Sequence, residues 1–420
     1  MKKPFPLITL ITVLVLEILS AGLWSSCRQN INSRQNDRLE QNIGNNTTGN
    51  GSSSNDNVSN KNSVLYTWPG EFEKQQSMWM QWPTENYNEG SRPVYPVMIN
   101  IINAFTPYIK VNVISRSTDE IEQIKALLKS SGNPGTNVDY YVINHLSIWA
   151  RDVGPVFVKD NRNRLSVVDF GFNNYSREAD QEYINIESQV DKLTAQTLNL
   201  PVISTGLISE GGAIESNGRG TMMVPESVAL TRNPNLTKQQ IEDEYKRVLG
   251  VKKVIWLKKG LAEDDHITSG HINEFARFAD PNTILLAQIL PEDKLINKIS
   301  QQSDQNLEEN YNILQNSTDQ DGKPFRIIRV PMPPTLYQEA DNTSELPVRS
   351  YLNYAVTNGA VLMQTYWKPG LPDKLKNAEE QVRAILHNAY PGCDIIGIDA
   401  ENVNLWGGGI HCITQHMPAT

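Results

Sequence analysis

One cysteine near the C-terminus has the surroundings of a reactive thiol. Cys412 follows a run of three glycines, Gly407 to Gly409, and has the polar residues His411, Thr414 and Gln415 nearby. Glycine lets two stretches of backbone approach closely, and a thiol in such surroundings is poorly suited to filling a core. We therefore interpret Cys412 as a nucleophile, which needs a general acid or base that is often distant in sequence.

The candidate for that acid or base is a histidine. His271 follows a glycine, precedes an apolar run and stands five residues after His266. This spacing fits neither the i, i+4 pair of a zincin nor a usual zinc finger, so no metal site is expected. A lone histidine is more often a hydrogen-bonded core residue, but the presence of Cys412 favours the catalytic interpretation.

Two further segments place acidic residues where they could hold a cation. Asp152 follows Arg151, lies close to Trp149 and precedes a Gly-Pro turn. A carboxylate beside an indole can hold a guanidinium through a bidentate hydrogen bond and a cation–π contact. The alternative is that Arg151 and Asp152 pair with each other. Glu210 precedes two glycines, a pattern that also fits an ordinary turn.

Three other side chains have plainer interpretations. His411 and His416 flank Cys412 and are expected to satisfy local backbone groups. Cys393 precedes an apolar run and is expected to pack as a small apolar side chain rather than to form a disulfide with Cys412.

The composition and the charge limit the partners. The chain has 420 residues, 39% of them hydrophobic and 20% charged, which suffices for one large domain or two ordinary ones. Its net charge is −9 and its isoelectric point is near 5.3. Nucleic-acid binding needs a basic surface, which this charge argues against, whereas an acidic protein can attract a cationic ligand.

The first 63 residues predict export and a tether. Residues 1–27 contain two lysines, an apolar run too short for a comfortable membrane span, and small residues before Cys27. They resemble a bacterial lipoprotein signal, with Cys27 as the lipidated residue and sole membrane anchor; an uncleaved anchor or an ordinary secretory peptide is the alternative. Residues 28–63 are rich in Asn, Ser, Gln, Thr and Gly and predict a flexible tether, so the folded domain is expected over residues 64–420.

Within that domain, short apolar runs alternate with amphipathic helices, which indicates an α/β architecture. The predicted strands are Val111–Ile114, Val156–Val158, Thr221–Val224, Val254–Leu257, Thr283–Gln288, Phe325–Val330, Ala360–Thr365 and Asp394–Ile398. The clearest helices are Glu120–Lys129, Glu178–Leu198, Thr237–Leu249 and Ala378–Tyr390. Asn235 is expected to cap the third of these helices.

Taken together, these segments resemble the agmatine deiminase family, which includes bacterial peptidyl-arginine deiminases of the Porphyromonas type. The resemblance extends from Pro69 to Pro418. Its motifs are the opening Pro69–Pro83, Trp149–Pro155, Glu210–Gly212, Arg232–Pro234, Gly270-His271 and Gly407–Gln415. Single pieces such as Glu-Gly-Gly are weak signals, but their order and spacing are specific.

The resemblance implies a fold and a mechanism. The fold is a pentein-like propeller of five ββαβ modules around a pseudo-fivefold axis, with the active site in the central channel. In the mechanism, a thiolate attacks the guanidinium carbon, ammonia leaves, and water hydrolyses the resulting S-alkylthiouronium. No cofactor and no metal are expected, and the sequence carries no signal for an oligomeric state.

The resemblance also implies residue roles. Cys412 is the expected nucleophile, and His271 is expected to protonate the departing ammonia and then to activate water. Asp152 is expected to hold the guanidinium nitrogens, while Glu210 keeps His271 charged and aligned. The residues expected to contact the substrate are Trp149, Arg151, Asn273 and Gly409.

Asn273 departs from the family pattern, which reads Gly-His-x-Asp and uses the aspartate as a second guanidinium clamp. Asparagine can accept a hydrogen bond but offers no charge, so a buried cationic substrate loses a countercharge. Losing a charged partner in a buried pair costs roughly 2 to 5 kcal/mol. Glu274, Asp264 and Asp265 are the neighbouring carboxylates that could compensate.

The motifs recognise a guanidinium, which agmatine and peptidyl-arginine share. Hydrolysis of agmatine to N-carbamoylputrescine and ammonia is the first expectation, and citrullination of exported proteins or peptides is the second, because putrescine synthesis is normally an internal pathway. A third hypothesis, motivated by Asn273, is a surface module that binds guanidinium groups without turnover. A cysteine peptidase would leave Asp152 and Glu210 without roles.

Overall fold

Sixteen strands in five sheets organise the part of the chain that the computed structural model describes, residues 65–336 and 347–420. The strands are β1 (Gln75–Gln81), β2 (Lys110–Ser115), β3 (Val138–Val142), β4 (Val156–Lys159), β5 (Leu165–Gly171), β6 (Val202–Ile208), β7 (Glu215–Ser216), β8 (Thr221–Pro225), β9 (Lys253–Leu257), β10 (Ala276–Asp280), β11 (Thr283–Gln288), β12 (Arg326–Pro331), β13 (Ala355–Thr357), β14 (Ala360–Thr365), β15 (Asp394–Asp399) and β16 (Gln415–Pro418). The eight predicted strands are confirmed to within one residue at each end.

Ten helices connect these strands within the described ranges. They are α1 (Tyr95–Phe105), α2 (Thr118–Ser130), α3 (Ala150–Val153), α4 (Gln181–Glu187), α5 (Val190–Thr197), α6 (Glu226–Arg232), α7 (Lys238–Leu249), α8 (Lys298–Gln315), α9 (Asp373–Ala389) and α10 (Glu401–Asn404).

Three details of the predicted helices were wrong. The helix predicted to begin at Ala378 begins five residues earlier, at Asp373. Thr237, rather than Asn235, caps α7: its hydroxyl accepts the backbone N–H of Gln240, and the Gln240 side chain returns to the Thr237 backbone, a reciprocal capping box. The single helix predicted over residues 178–198 is divided into α4 and α5. At the end of α4, the buried Glu187 accepts hydrogen bonds from the loop at Leu146 and Ser147. This attachment lies at the break between the two helices.

The five sheets repeat one pattern of strand pairing. Four of them have the orders β4-β5-β6, β7-β8-β9, β10-β11-β12 and β13-β14-β15, and in each the first pair is antiparallel and the second parallel. The fifth has the order β16-β1-β2-β3, so the C-terminal strand pairs antiparallel with β1. Parallel strands need a long crossover, which is usually helical, and α8 and α9 are two of these connections.

The central strands contain apolar runs because both of their faces are covered. In β11, for example, Ile284, Leu285 and Leu286 are all completely buried, and α8 packs against this strand. Continuous apolar runs are typical of strands covered on both faces. Cys393 is half-buried, has a free thiol and packs against the same core, as expected.

The segments that lead into the first strand of each sheet bring the polar residues together. Asp152 lies on α3 just before β4, Glu210 precedes β7, His271 precedes β10 and Cys412 precedes β16. The equivalent segment before β13 contains Asn353. Each of the five sheets is therefore preceded by a segment that contributes one of these five residues.

The predicted export signal and tether, including Cys27, fall within residues 1–64, outside the described residues. Across residues 65–336 and 347–420, no helix has both the length and the apolar character needed to cross a bilayer.

Candidate active site

Cys412 lines a cavity with about 350 Å³ of empty space, part of which is open to solvent. One part of the lining is buried and polar, and consists of Asp152, Tyr175, Asp264, Thr268, His271, Asn273, Glu274 and Cys412. The other part is exposed or half-exposed, and consists of Trp149, Arg177, Ile267, Trp406 and Gly407. The cavity therefore has a polar interior and a mouth rich in aromatic surface.

Several polar groups surround the sulfur of Cys412. The side-chain N–H groups of Asn353 and Asn273 donate to Sγ at 3.0 and 3.4 Å, and the backbone N–H of Gly409 also bonds to it. Glu274 Oε1 lies 3.6 Å from Sγ. Burial, followed by the charge of Glu274, raises the pKa of the thiol well above its usual value, and the amide donors only partly oppose this. A cation placed beside Sγ would favour the thiolate.

His271 lies between carboxylates. Its Nδ1 is 3.7 Å from Asp152 Oδ1, and its Nε2 is 3.4 Å from Glu210 Oε2. Its backbone N–H donates to Asp264 Oδ2 at 3.0 Å. Burial acts to lower the pKa of the imidazole, but the three carboxylates together raise it above the usual 6.5. Nδ1 has no hydrogen-bond partner among the described residues, so a proton on this atom is available for transfer.

Asp152 is held by two fixed donors. The backbone N–H of Gly212 donates to Oδ1 at 3.1 Å, and the Tyr175 hydroxyl donates to Oδ2 at 2.9 Å. Tyr175 has a φ of 59°, a left-handed conformation that costs a tyrosine roughly 1 to 3 kcal/mol. Burial raises the pKa of Asp152, whereas the neighbouring His271 lowers it. The strained tyrosine thus orients the carboxylate toward His271.

Glu210 is anchored by Arg232 in a fully buried ion pair with an N–O distance of 2.7 Å. Burial acts to raise the pKa of Glu210, but Arg232 and His271 outweigh it and the net pKa is lowered. Arg232 also donates to the Thr268 carbonyl at 2.6 Å and to Ser269 Oγ at 3.3 Å. One guanidinium therefore keeps Glu210 ionised and holds the loop that leads to His271.

At two positions in the site, neighbouring groups lie so close to the backbone that only glycine fits. A Cβ added to Gly212 would lie 2.7 Å from both Asp152 Oδ1 and His271 Nδ1. A Cβ added to Gly408 would lie 2.7 Å from the Trp149 ring and 3.2 Å from Cys412 Sγ. Any larger residue at these positions would displace the groups that line the cavity.

Arg151 and Gly409, two of the residues expected to contact the substrate, lie outside the part of the cavity lining that the described residues form. Arg151 is buried and forms its ion pair with Glu71 at 2.6 Å, because a guanidinium inside the protein needs a carboxylate partner. A Cβ added to Gly409 would meet the side chains of Gln364 and Asn353, and the backbone N–H of Gly409 forms a hydrogen bond with the Cys412 sulfur. Of the four expected substrate contacts, Trp149 and Asn273 do line the cavity.

The two histidines that flank the nucleophile do more than satisfy local backbone. His411 Nε2 lies 2.9 Å from both carboxylate oxygens of Glu71, and His416 Nδ1 lies 3.4 Å from Glu71 Oε1. Arg277 donates to the same carboxylate at 2.6 Å. Together with Arg151, these groups form a buried network around Glu71, and His411 extends it to the site because its Nδ1 is 3.0 Å from Asn273 Nδ2.

Sequence reasoning missed Asn353. This fully buried side chain donates to Cys412 Sγ and to Glu274, and its Oδ1 accepts the backbone N–H of His411 at 2.8 Å. Nothing in the surrounding residues marks it as functional. The one signal that could have found it is its position ahead of β13, equivalent to that of His271 ahead of β10.

Comparison with known proteins gives consistent matches along the domain. The family model of the Porphyromonas-type peptidyl-arginine deiminases matches residues 67–418. An agmatine deiminase from Medicago truncatula is 31% identical over 380 residues, which cover 84% of this chain and 96% of that protein. A solved agmatine deiminase from Enterococcus faecalis is 25% identical, with a TM-score of 0.70 over 85% of this chain and 98% of that chain. A C. jejuni agmatine deiminase with substrate bound shares the fold, at 24% identity and a TM-score of 0.69 over 84% and 97% of the two chains.

Proposed function

The chain belongs to the Porphyromonas-type peptidyl-arginine deiminase family, and from that premise we propose that it is a hydrolase of agmatine, producing N-carbamoylputrescine and ammonia. The observation that carries the proposal is the grouping of Cys412, His271 and Asp152 around one largely buried cavity. A thiol, an imidazolium and a carboxylate are the groups that hydrolysis of a guanidinium needs.

In the first step, the Cys412 thiolate attacks the guanidinium carbon and a carbon–sulfur bond forms. Asp152 holds the guanidinium nitrogens, and the cation itself favours ionisation of the buried thiol. His271 donates its proton to one terminal nitrogen, the carbon–nitrogen bond breaks, and ammonia leaves. The raised pKa of His271 supports this step, because it favours the imidazolium form.

In the second step, the neutral His271 takes a proton from water, and the oxygen attacks the carbon of the S-alkylthiouronium. The carbon–sulfur bond breaks, the sulfur leaves with its electron pair, and the oxygen loses its remaining proton to give the ureido product. Glu210 supports both steps because its carboxylate, kept ionised by Arg232, stabilises the imidazolium.

The repeated strand pattern supports a five-bladed, pentein-like arrangement around a pseudo-fivefold axis. The segments ahead of β4, β10 and β16 contribute Asp152, His271 and Cys412 to one cavity, and Asn353, ahead of β13, bonds to the sulfur. In such an arrangement, equivalent segments of the five modules converge on the central channel.

Citrullination of peptidyl-arginine is a second candidate, which one observation favours. Arg177 lies at the exposed end of the cavity, 5.1 Å from the centre of the Tyr175 ring. Burial and the charge of Arg177 both lower the pKa of the nearby His266. A cation at the mouth repels the distal ammonium of agmatine but tolerates a neutral peptide backbone.

The test is ureido-product formation by the purified full chain, offered agmatine, free arginine and a peptide with an internal arginine, with Cys412→Ala as the control. Turnover of agmatine that vanishes in Cys412→Ala is the expected result. Turnover of the peptide alone would establish the second candidate. Binding of agmatine without turnover of any of the three compounds would contradict a deiminase and leave a guanidinium-binding surface module.

We also propose that the protein is exported and anchored by lipid on Cys27, with residues 28–63 as a tether. The support is the order of charged, apolar and small residues before Cys27. Metabolic labelling with a radioactive fatty acid should mark the wild-type chain in its native host and leave Cys27→Ser unlabelled.

A further inference from the structure

Glu274 is a buried carboxylate beside the nucleophile that the mechanism above leaves without a function. Its side chain is 2% exposed and lines the cavity. Oε1 accepts an N–H from Asn353 at 2.5 Å and lies 3.6 Å from Cys412 Sγ. Within the described parts of the chain, Oε2 is buried and has no hydrogen-bond partner. Such an oxygen is costly to bury, and a ligand with N–H donors would satisfy it.

Asn273 has partners only for its amide nitrogen, while its uncharged Oδ1 has no hydrogen-bond partner within the described residues. Its Nδ2 faces both Cys412 Sγ, at 3.4 Å, and His411 Nδ1, at 3.0 Å. Burial, followed by the charges of Arg151 and Arg277, lowers the pKa of His411 well below its usual value, so this ring is neutral.

The neutral ring fixes the direction of the Asn273 amide. Because the Nε2–H of His411 donates to Glu71, its Nδ1 is an acceptor and takes an N–H from Asn273. The amide is thereby held as an N–H donor to the sulfur.

We propose that Glu274 supplies the second carboxylate for the guanidinium, next to the nucleophile, in place of the aspartate that Asn273 replaces. This inference rests on the proposed function. Asp152, held by Tyr175 and Gly212, then binds the guanidinium from the His271 side, while Glu274 Oε2 accepts an N–H from the Cys412 side. The carboxylate has moved by one residue, and the amide left behind donates to the sulfur.

Asp264 is the competing carboxylate in the same lining, and its Oδ1 likewise has no hydrogen-bond partner among the described residues, but its other oxygen is bound to the loop of His271 rather than to the nucleophile. Its Oδ2 accepts hydrogen bonds from the Thr268 hydroxyl and from the backbone N–H of His271. Asp264 therefore orients the loop that carries the acid–base residue, whereas Glu274 contacts the nucleophile directly. Asp265 is exposed.

The experiment compares two reagents that alkylate Cys412 and differ in charge: 2-chloroacetamidine, a cation, and 2-chloroacetamide, its neutral isostere. Inactivation rates are measured on the full-length wild type, on Glu274→Gln and on the control Glu263→Gln. Glu263 is a neighbouring carboxylate that accepts from Ser303 and lies outside the described lining of the cavity.

Glu274→Gln should slow inactivation by the amidine at least about tenfold, and inactivation by the amide by less than about threefold. Glu263→Gln should change the ratio of the two rates by less than about twofold. Agmatine turnover should fall in Glu274→Gln, and Asn273→Asp in the Glu274→Gln background should recover part of the loss in the ratio.

Two results would overturn the proposal, and both leave the ratio of the two rates unchanged in Glu274→Gln: neither rate falls, or both rates fall by the same factor, which marks a structural effect. If the wild type turns over agmatine and the ratio is unchanged in Glu274→Gln, the deiminase activity is supported and only the function proposed for Glu274 is rejected. A changed ratio with no turnover of any guanidine by the wild type would support the cation site and reject the deiminase.

Discussion

Around His271, Asp152 and Glu210 lie beside cationic groups, whereas around Cys412 neutral amides stand beside the carboxylate of Glu274, whose Oε2 has no hydrogen-bond partner among the described residues. The histidine side, made of Asp152, Tyr175, Glu210, Arg232 and His271, contains a fully buried ion pair and a carboxylate held by two donors. The sulfur side, made of Asn273, Glu274, Asn353, His411 and Cys412, contains two amide donors to the sulfur and the carboxylate of Glu274.

The two sides therefore respond differently to an empty cavity. The histidine side is supplied with cationic groups without substrate, because Arg232 and His271 lie beside Glu210 and Asp152. The sulfur side is not, and burial and neighbouring carboxylates raise the pKa of both Cys412 and Glu274 well above their usual values. A bound cation would stabilise the ionised form of both groups, so the sulfur side is completed by its substrate.

Removing the ion pair of the histidine side should have the largest effect on folding. Arg232→Gln leaves Glu210 buried without its partner, which should lower the free energy of unfolding by about 3 to 5 kcal/mol. Urea unfolding measures this loss. The control is Arg219→Gln, whose half-exposed pair with Glu73 should contribute about 0 to 1 kcal/mol. Similar losses in the two variants would show that the histidine side does not depend on its buried charges.

Restoring the family aspartate should weaken catalysis. Asn273→Asp removes an N–H donor from the sulfur and adds a negative charge beside Glu274, so kcat/KM should fall roughly 10- to 100-fold. Steady-state kinetics with the best substrate tests this, with Asn316→Asp on the exposed end of α8 as the matched control. A gain of activity in Asn273→Asp would mean that the sulfur side lacks a charge which Glu274 does not supply.

The stability contributed by Asp264 should depend on pH. Burial raises its pKa from 3.8 to about 6, so its protonated form is favoured by folding. This contribution is present below pH 3.8 and is lost as the pH rises toward 6. Asp264→Asn should therefore gain roughly 1 to 3 kcal/mol relative to the wild type between pH 4 and pH 6.5. Urea unfolding at several pH values measures the difference, and a difference that does not change with pH would contradict the assignment.

The smallest effect is expected at the mouth of the cavity. Arg177→Gln removes a repulsion of the distal ammonium, so kcat/KM for agmatine should rise about threefold at low salt and less at high salt. The value for a neutral arginine peptide should stay nearly constant, and Arg162→Gln, at an exposed position outside the described lining, should change neither. An equal rise for both substrates would show that Arg177 does not discriminate charge.

The local sequence pattern predicted the strands and helices whose buried residues are apolar, and it missed a helix whose buried face is polar. β11 and β14 are continuous apolar runs, and their predicted limits were confirmed. The long helix α8 was missed because Ser303, Asn306 and Asn310 lie on its buried face. Asn306 and Asn310 donate to the carbonyls of Gly260 and Lys259, so the helix docks by hydrogen bonds to a loop that periodicity does not register.

For the site, the sequence by itself determined the groups that can do chemistry. The residue types and the motif order selected Cys412, His271, Asp152 and Glu210, because a nucleophile, an acid–base group and carboxylates are recognisable from their immediate neighbours. These four residues come together in the structure, three of them lining the cavity and Glu210 directly behind His271.

Only the tertiary structure decided which partner each group has. Arg151 is next to Asp152 in sequence but pairs with Glu71, which also binds His411 from the far end of the chain. Asn353 reaches the sulfur from a different sheet. Such pairings join residues 59 to 340 positions apart, and they depend on how the five sheets pack together. Local sequence determines periodicity and residue type, but it does not show which distant segments that packing brings into contact.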